Sequence, residues 1–178
     1  GAGFSMAEGR GDQLAPHVRQ SATLVLQLYI GYIIFGIIAL YAVGMNPFDA
    51  VNHAFTAVAT GGFSTRPESI GYWDSAGVEL VIILLMVFGG MNFLTAYTLF
   101  TRKFRPFARN GEIRLTAVVI PIACVLLYLV STRGTYPDMI KDVRVTVFET
   151  VSALTGTGFS TVSYLNPRWQ DFGWLVLI

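Results

Sequence analysis

The sequence predicts an all-α membrane protein built from tandem repeats, each with a long outer helix, a short helix, an irregular loop and a long inner helix. Three observations predict this class: a composition too apolar for water, long stretches without charge, and an internal repeat. Of the 178 residues, 53% are hydrophobic and 13% are charged, and the mean hydropathy is +0.57. Soluble domains carry about 25% charged residues, so we expect most of this chain to lie in a lipid bilayer.

Charge and cysteine content exclude several other classes. Twelve Lys and Arg residues against eleven Asp and Glu residues provide no basic surface for nucleic acid, so no nucleic-acid partner is expected. The single cysteine, Cys124, excludes an intramolecular disulfide and a zinc site built from cysteines. The sequence shows no nucleophile with a supporting base, no phosphate-binding glycine motif and no metal-ligand spacing. We therefore predict neither enzymatic activity nor an organic cofactor.

Charge-free stretches locate the long helices. About 20 apolar residues, at ~1.5 Å each, span the roughly 30 Å hydrocarbon layer. After a cytosolic lead-in at residues 1–20, the predicted long helices are an outer helix at 21–43, an inner helix at 77–101, an outer helix at 115–132 and the start of an inner helix at 170–178. Pro121 is expected to kink the second outer helix. The sequence ends on an apolar run, so we expect it to be part of a longer protein.

Loop charges orient these helices across the membrane. The basic loop at 102–114 carries five basic residues against Glu112 alone, which places it in the cytosol by the positive-inside rule. The connection at 44–76 has one basic residue, Arg66, against three acidic ones, and suits the outer side. The first outer helix therefore runs outward and the following inner helix runs back. Fixing this topology is the simplest role of the basic loop; contact with lipid headgroups or a cytosolic regulator is the alternative.

An internal repeat divides the chain into two units. Residues 51–65 align without a gap on residues 147–161, an offset of 96 positions, and six of the fifteen positions are identical. Both copies end in Gly-Phe-Ser-Thr. Self-similarity at a fixed offset indicates repeated structural units, so we predict one unit at 21–101 and another at 115–178.

Each unit places a short amphipathic helix between its two long ones. Asn46 followed by Pro47 predicts a helix start, and apolar residues at helical spacing extend the first short helix over 47–59. Asp142 is expected to cap the second short helix, at 143–155. Such a helix is about 20 Å long, too short to cross. Because both ends lie on the outer side, we expect it to dip into the membrane and return.

The loops after the short helices, 60–65 and 156–161, then lie at membrane depth. An unpaired backbone group in lipid costs several kcal/mol, so this backbone must face protein or a watery cavity. Inward-facing oxygens would replace the hydration shell of a cation, and the partly negative C-terminal end of each short helix favours a cation there. The candidate ion-binding residues are Thr60, Gly61, Gly62, Phe63, Gly156, Thr157, Gly158 and Phe159.

These loops and the order of helices around them resemble the Trk/Ktr/HKT superfamily of potassium transporters. Residues 63–75 look most like the Trk branch, and the resemblance covers nearly the whole chain. It implies a fold similar to a potassium channel made from one chain, with four units of outer helix, pore helix, filter loop and inner helix. This chain would be the second and third units, and Gly62 and Gly158 would be their filter glycines. The inner helix of the third unit, at 170–178, is truncated, so the gating loop of the family is not in the sequence.

The resemblance also implies an activity and partners. These are uptake of potassium ions across the plasma membrane, the bacterial inner membrane, by a multi-pass protein surrounded by lipid. The expected partners are the first and fourth units of the same protein, a second copy in a homodimer, and a cytosolic nucleotide-binding subunit that gates the pore. Channel-like transport and ion-coupled symport use the same loops, and both stay open.

Several roles have more than one interpretation. Thr60 and Thr157 would add hydroxyl or carbonyl oxygens beside the ion path, whereas the rings of Phe63 and Phe159 would buttress the loops from behind. His53 would serve packing or a hydrogen bond, or a role at the outer mouth, and Gly89-Gly90 would allow close packing or act as a hinge. Without the repeat, the loops would simply be helix ends. The rival functions are a non-conducting membrane anchor or assembly subunit and a sodium-conducting member of the same superfamily.

Overall fold

The chain forms five α-helices in a computed structural model that describes residues 2–92, 95–96 and 111–162. These residues are helical and contain no strand, which confirms the predicted all-α class. The helices are α1 (Ala2–Ala42), α2 (Pro47–Val58), α3 (Ala76–Gly90), α4 (Gly111–Leu127) and α5 (Met139–Leu154), with a 3₁₀ turn at Ser69–Tyr72 and a π-helical turn at Tyr128–Thr132. The predicted inner helix at 170–178 lies outside the described residues.

Helix α1 is one continuous helix from Ala2. The lead-in predicted at 1–20 and the outer helix predicted at 21–43 therefore belong to the same helix, and the predicted helix start at residue 21 is wrong. Only Ala22–Ala42 is long and apolar enough to cross a membrane. A change in polarity marks where a helix leaves lipid, but it does not end the helix, which requires a backbone signal. That signal comes at the other end, where Gly44 adopts a left-handed φ of 99°.

Helix α3 ends at Gly90, eleven residues before the end of the predicted inner helix at 77–101. Met91 is extended, with ψ of 141°. Two consecutive glycines weaken a helix by about 1 kcal/mol each relative to alanine. A Cβ on Gly89 would lie 2.2 Å from the Val58 carbonyl oxygen of α2, so this position serves close packing of α3 on the end of α2.

The second unit also begins its helices earlier than predicted. Helix α4 starts at Gly111, inside the predicted basic loop at 102–114, whose residues 102–110 lie outside the described residues. It continues through Pro121, and Ile113–Thr132 is apolar and long enough to cross a membrane.

Helix α5 starts at Met139 and not at 143, because Asp138 caps it by accepting a hydrogen bond from the Ile140 N–H at 2.9 Å. Asp142, the predicted cap, instead accepts from the N–H groups of Gly134 and Tyr136. In the first unit, Asn46 caps α2 with Pro47 at its first position, as predicted.

The helices pack so that one face of α2 and one face of α5 are buried. Helices α1, α2 and α3 contact one another, α4 contacts α5, and α3 also contacts α5 across the unit boundary. The core contains Leu40, Ala54, Ile82 and Leu85 of the first unit together with Phe148 of the second. The outer faces of α1 and α4 expose large apolar side chains, among them Ile38 and Val118, which suits contact with lipid or further protein.

Candidate ion-binding loops

Both loops leave their helices through the same backbone motif. After α2, the N–H of Gly61 bonds the Thr56 carbonyl at 2.8 Å and the N–H of Thr60 bonds the Ala57 carbonyl at 3.1 Å. After α5, Thr157 and Gly156 make the equivalent bonds at 2.9 Å each. These pairs form a Schellman motif, whose first loop residue must be left-handed. Thr60 and Gly156 hold that position, with φ of 50° and 69°.

A second left-handed residue follows two positions later in each loop. Gly62 has φ of 65° and Gly158 has φ of 84°, a conformation that costs a side-chain-bearing residue about 1–2 kcal/mol. Left-handed residues at alternate positions give an irregular backbone that cannot continue a helix or a strand. Within the described part of the chain, no hydrogen bond reaches the carbonyl oxygens of residues 60–62 and 156–158. Six loop carbonyls are therefore available to a ligand.

The carbonyls of Phe63 and Phe159 differ from these six. The Thr56 hydroxyl donates to the Phe63 carbonyl at 2.9 Å, and the Ser152 hydroxyl donates to the Phe159 carbonyl at 2.6 Å. These two predicted ion ligands are thus tied back to their own helices. Thr56 and Ser152 were missed from the sequence, although both carry a hydroxyl and occupy the same position in the repeat.

The two loops lie against each other. A Cβ on Gly62 would lie 2.1 Å from the carbonyl oxygen of Thr157, so backbone touches backbone and no side chain fits between. The segment that follows the first loop, at residues 69–71, is also hydrogen-bonded to the second loop. The N–H of Gly71 bonds the Ser160 carbonyl at 3.2 Å, and the N–H of Ser160 bonds the Ser69 hydroxyl at 3.2 Å.

Buried polar groups hold the first loop from behind. The ring of His53, fully buried, donates from Nδ1 to the Asp49 carbonyl at 2.7 Å, so its Nε2 accepts from the Ser64 hydroxyl at 2.9 Å. Asp49 accepts from the Thr65 hydroxyl at 2.6 Å and pairs with Arg66 at 2.9 Å. That hydrogen bond from Arg66 to Asp49 raises the pKa of the guanidinium further above its ordinary value, which keeps it charged.

A single carboxylate holds the second loop. Glu149, at the position of His53, accepts from the Thr161 N–H at 2.6 Å, the Thr161 hydroxyl at 2.9 Å and the Ser160 hydroxyl at 3.1 Å. The sequence alignment paired Glu149 with His53 but did not identify this role.

The two phenylalanine side chains have different surroundings. Phe159 is buried and stacks on the His53 ring of the first unit, with ring centroids 5.7 Å apart. This agrees with the predicted buttress and gives His53 the packing role. Phe63, at the same repeat position, is 78% exposed in this chain, so nothing among the described residues gives it the same support.

Ion pairs join the units near the starts of α3 and α5. Arg144 of α5 binds Glu79 of α3 through two hydrogen bonds, at 2.6 and 3.0 Å. Lys141 lies 2.6 Å from Asp74. Elsewhere in the described ranges, no cluster of three or more His, Cys, Asp or Glu side chains is placed to hold a metal ion. The backbone oxygens are therefore the candidate cation ligands.

Comparison with known proteins gives a consistent result. Residues 5–174 match the TrkH family, described as cation transport protein. The chain is 33% identical over 157 residues to the Trk system potassium uptake protein TrkH of Halomonas elongata, covering 85% of this chain and 32% of that protein. It is 28% identical over 163 residues to the protein of the same name in Escherichia coli, covering 90% of this chain and 33% of that one.

A solved structure has the same fold. The crystal structure of the potassium transporter TrkH from Vibrio parahaemolyticus superimposes with a TM-score of 0.83 at 26% identity. The match covers 91% of this chain and 35% of that chain. The chain thus spans about a third of the length of the relatives that it matches.

Proposed function

Because this chain belongs to the TrkH family of cation transport proteins, we propose that it supplies two adjacent pore units of a potassium uptake protein. Potassium would pass between the loops at 60–62 and 156–158, where carbonyl oxygens replace its water. The observation that carries this proposal is the set of six loop carbonyls without a hydrogen bond from the described residues, on two loops in backbone contact. Unpaired carbonyls at membrane depth are costly unless they bind water or a cation.

The two short helices add to the preference for a cation. Helices α2 and α5 both end at the loops, so their partly negative C-terminal ends lie next to the six carbonyls. An anion at the same place would meet oxygen atoms and negative helix ends together. We infer that the path excludes anions.

The uncovered surfaces of the two units support further units on either side. In α5, Val147 and Val151 pack into the core shared with α3. The equivalent α2 residues, Val51 and Phe55, are exposed, as expected if a preceding inner helix covers them. At the other end, a Cβ on Gly158 would meet nothing within 4 Å, where Gly62 meets the next loop. We propose that two more units complete a ring of four.

The setting of this pore follows from the resemblance to Trk proteins. We propose that the whole protein lies in the bacterial inner membrane, pairs with a second copy, and is gated by a cytosolic nucleotide-binding subunit. The basic loop at 102–114 is on the side where that subunit would bind. A pull-down of such a subunit with the whole protein, and its loss when the loop is made neutral, would test this part.

Potassium uptake by the whole protein tests the central proposal. In a bacterial strain without its own potassium uptake systems, the protein should restore growth at low potassium and take up rubidium. Gly62→Ser should abolish selective uptake while the protein still reaches the membrane, because the serine side chain would collide with the Thr157 carbonyl oxygen. Gly31→Ala in α1 is the control outside the loops, since its Cβ would meet nothing within 4 Å.

The outcomes separate the rival functions. A non-conducting anchor predicts no uptake by the unaltered protein, and a sodium transporter predicts sodium uptake that potassium does not inhibit. Either result would overturn the potassium proposal.

A further inference from the structure

We propose that Glu149 is the positioning residue of the second loop and that it thereby controls discrimination between potassium and sodium. This inference rests on the proposed function. Glu149 is 4% exposed, and one of its oxygens accepts all three hydrogen bonds from Ser160 and Thr161. None of these hydrogen bonds involves residues 156–158, so Glu149 would act on the ion path through the loop backbone.

In the first unit, two side chains make the equivalent hydrogen bonds to the loop. There His53 holds the serine of the loop and Asp49 holds the threonine. Asp49 is paired with Arg66, whose position in the second unit is taken by the buried Val162. Glu149 therefore replaces two side chains and makes no ion pair with any described basic residue. A buried carboxyl group in this situation depends on its hydrogen-bond donors, so it and the loop hold each other in place.

These bonds fix one end of the free carbonyl segment. The segment 156–158 begins at the Schellman motif of α5, which sets its first residues. It ends at Phe159, whose carbonyl is held by Ser152, and at Ser160 and Thr161, which are held by Glu149. These anchors are on α5, and the Ser160 backbone is also bonded to the Ser69 hydroxyl and the Gly71 N–H. The positions of the carbonyls between them decide whether the smaller sodium ion is held as well as potassium, so releasing the Glu149 end should relax selectivity.

A series of substitutions in the whole protein tests this. Glu149→Leu removes every acceptor, Glu149→His keeps one for Ser160 as in the first unit, and Glu149→Gln keeps a carbonyl oxygen for the Thr161 N–H. The matched control is Thr150→Val, because Thr150 is also buried on α5 but its hydroxyl has no hydrogen-bond partner among the described residues. The readout is rubidium uptake in the presence of increasing sodium, with the amount of protein in the membrane measured alongside.

The expected order is set by the hydrogen bonds that are lost. Glu149→Leu loses all three hydrogen bonds, Glu149→His keeps one, and Glu149→Gln keeps an uncharged oxygen that accepts more weakly. The potassium preference should fall on the order of tenfold in Glu149→Leu, less in Glu149→His, and about threefold or less in Glu149→Gln. Thr150→Val should leave it unchanged. Thr161→Val should also lower it, and combining it with Glu149→Gln should change it by less than the sum of the two, because both weaken the hydrogen bond between Glu149 and the Thr161 hydroxyl.

Two results would overturn this proposal while leaving the proposed function intact. One is unchanged selectivity in Glu149→Leu or Glu149→His at normal membrane levels. The other, decisive if those two variants do not accumulate, is unchanged selectivity in Thr161→Val, which removes one of the three donors to Glu149. Loss of uptake in the unaltered protein would instead reject the proposed function.

Discussion

A methyl group added at Gly158 tests whether a further loop follows this chain in the ring. The structure gives the two loop glycines, Gly62 and Gly158, different surroundings within the described residues. A Cβ at Gly62 would lie 2.1 Å from the Thr157 oxygen and 3.0 Å from the Gly158 carbonyl carbon, whereas a Cβ at Gly158 would meet nothing within 4 Å. If each loop packs on the next one around a ring, the space beside Gly158 is filled by the loop of the fourth unit.

The magnitudes follow from strain and from contact. Both glycines are left-handed, so alanine at either one costs about 1–2 kcal/mol from the backbone alone. At Gly62 the collision with the Thr157 carbonyl adds a further ~1–3 kcal/mol of overpacking. Gly158→Ala should therefore be as destabilising as Gly62→Ala in a ring of four, and about 1–3 kcal/mol milder if its side is open.

The assay compares the two variants in the whole purified protein. In a ring of four, Gly158→Ala and Gly62→Ala should lower the unfolding temperature in detergent by similar amounts and should reduce potassium uptake in cells by similar amounts. A Gly158→Ala protein that is about 1–3 kcal/mol more stable than Gly62→Ala and still transports selectively would mean that no backbone packs there. The ring of four would then be wrong, although the contact between the two loops of this chain would stand.

Two further predictions concern packing outside the loops. Gly89→Ala should lower the unfolding temperature and the amount of protein in the membrane, because its Cβ would lie 2.2 Å from the Val58 carbonyl oxygen. The control Gly31→Ala, at a helix glycine whose Cβ would meet nothing within 4 Å, should be neutral or stabilising. Equal behaviour of the two variants would contradict the close approach of α3 to α2. Arg144→Met should destabilise the protein by about 2 kcal/mol, because it leaves the buried Glu79 carboxylate unpaired. Adding Glu79→Gln should recover part of this loss. If the effects of the two substitutions simply add, the ion pair does not contribute to stability.

The repeat predicted the loops and the order of helices, but not where helices begin and end. Hydropathy reports the contact with lipid, so it could not show that α1 continues to Ala2 or that α3 stops at Gly90. Asp138 and Asp142 are both good helix caps by residue type. Only the positions of Gly134 and Tyr136, whose N–H groups bind Asp142, decide between them.

The candidate site was predictable where the two copies are identical and not where they differ. The repeat identifies Gly62 and Gly158, and both adopt the left-handed backbone that glycine takes at low cost. The supports behind the loops share a function but not a residue type, as His53 and Glu149 illustrate. An alignment that counts identical residues does not detect that His53 and Glu149 have the same function.

This difference between the copies has a consequence for how the proposed pore would tolerate change. Left-handed residues stand at equivalent positions in the two loops, and each loop Ser and Thr donates to a group on its own short helix. The acceptors differ in kind: a neutral ring and an ion-paired carboxylate in the first unit, an unpaired carboxyl group in the second. The proposed fourfold arrangement of carbonyls requires equal loop geometry but not equal supports, so each unit could vary the groups behind its loop independently. The electrostatic field along the proposed path would then be uneven around the ring, and substitutions at equivalent positions in the two units should have unequal effects.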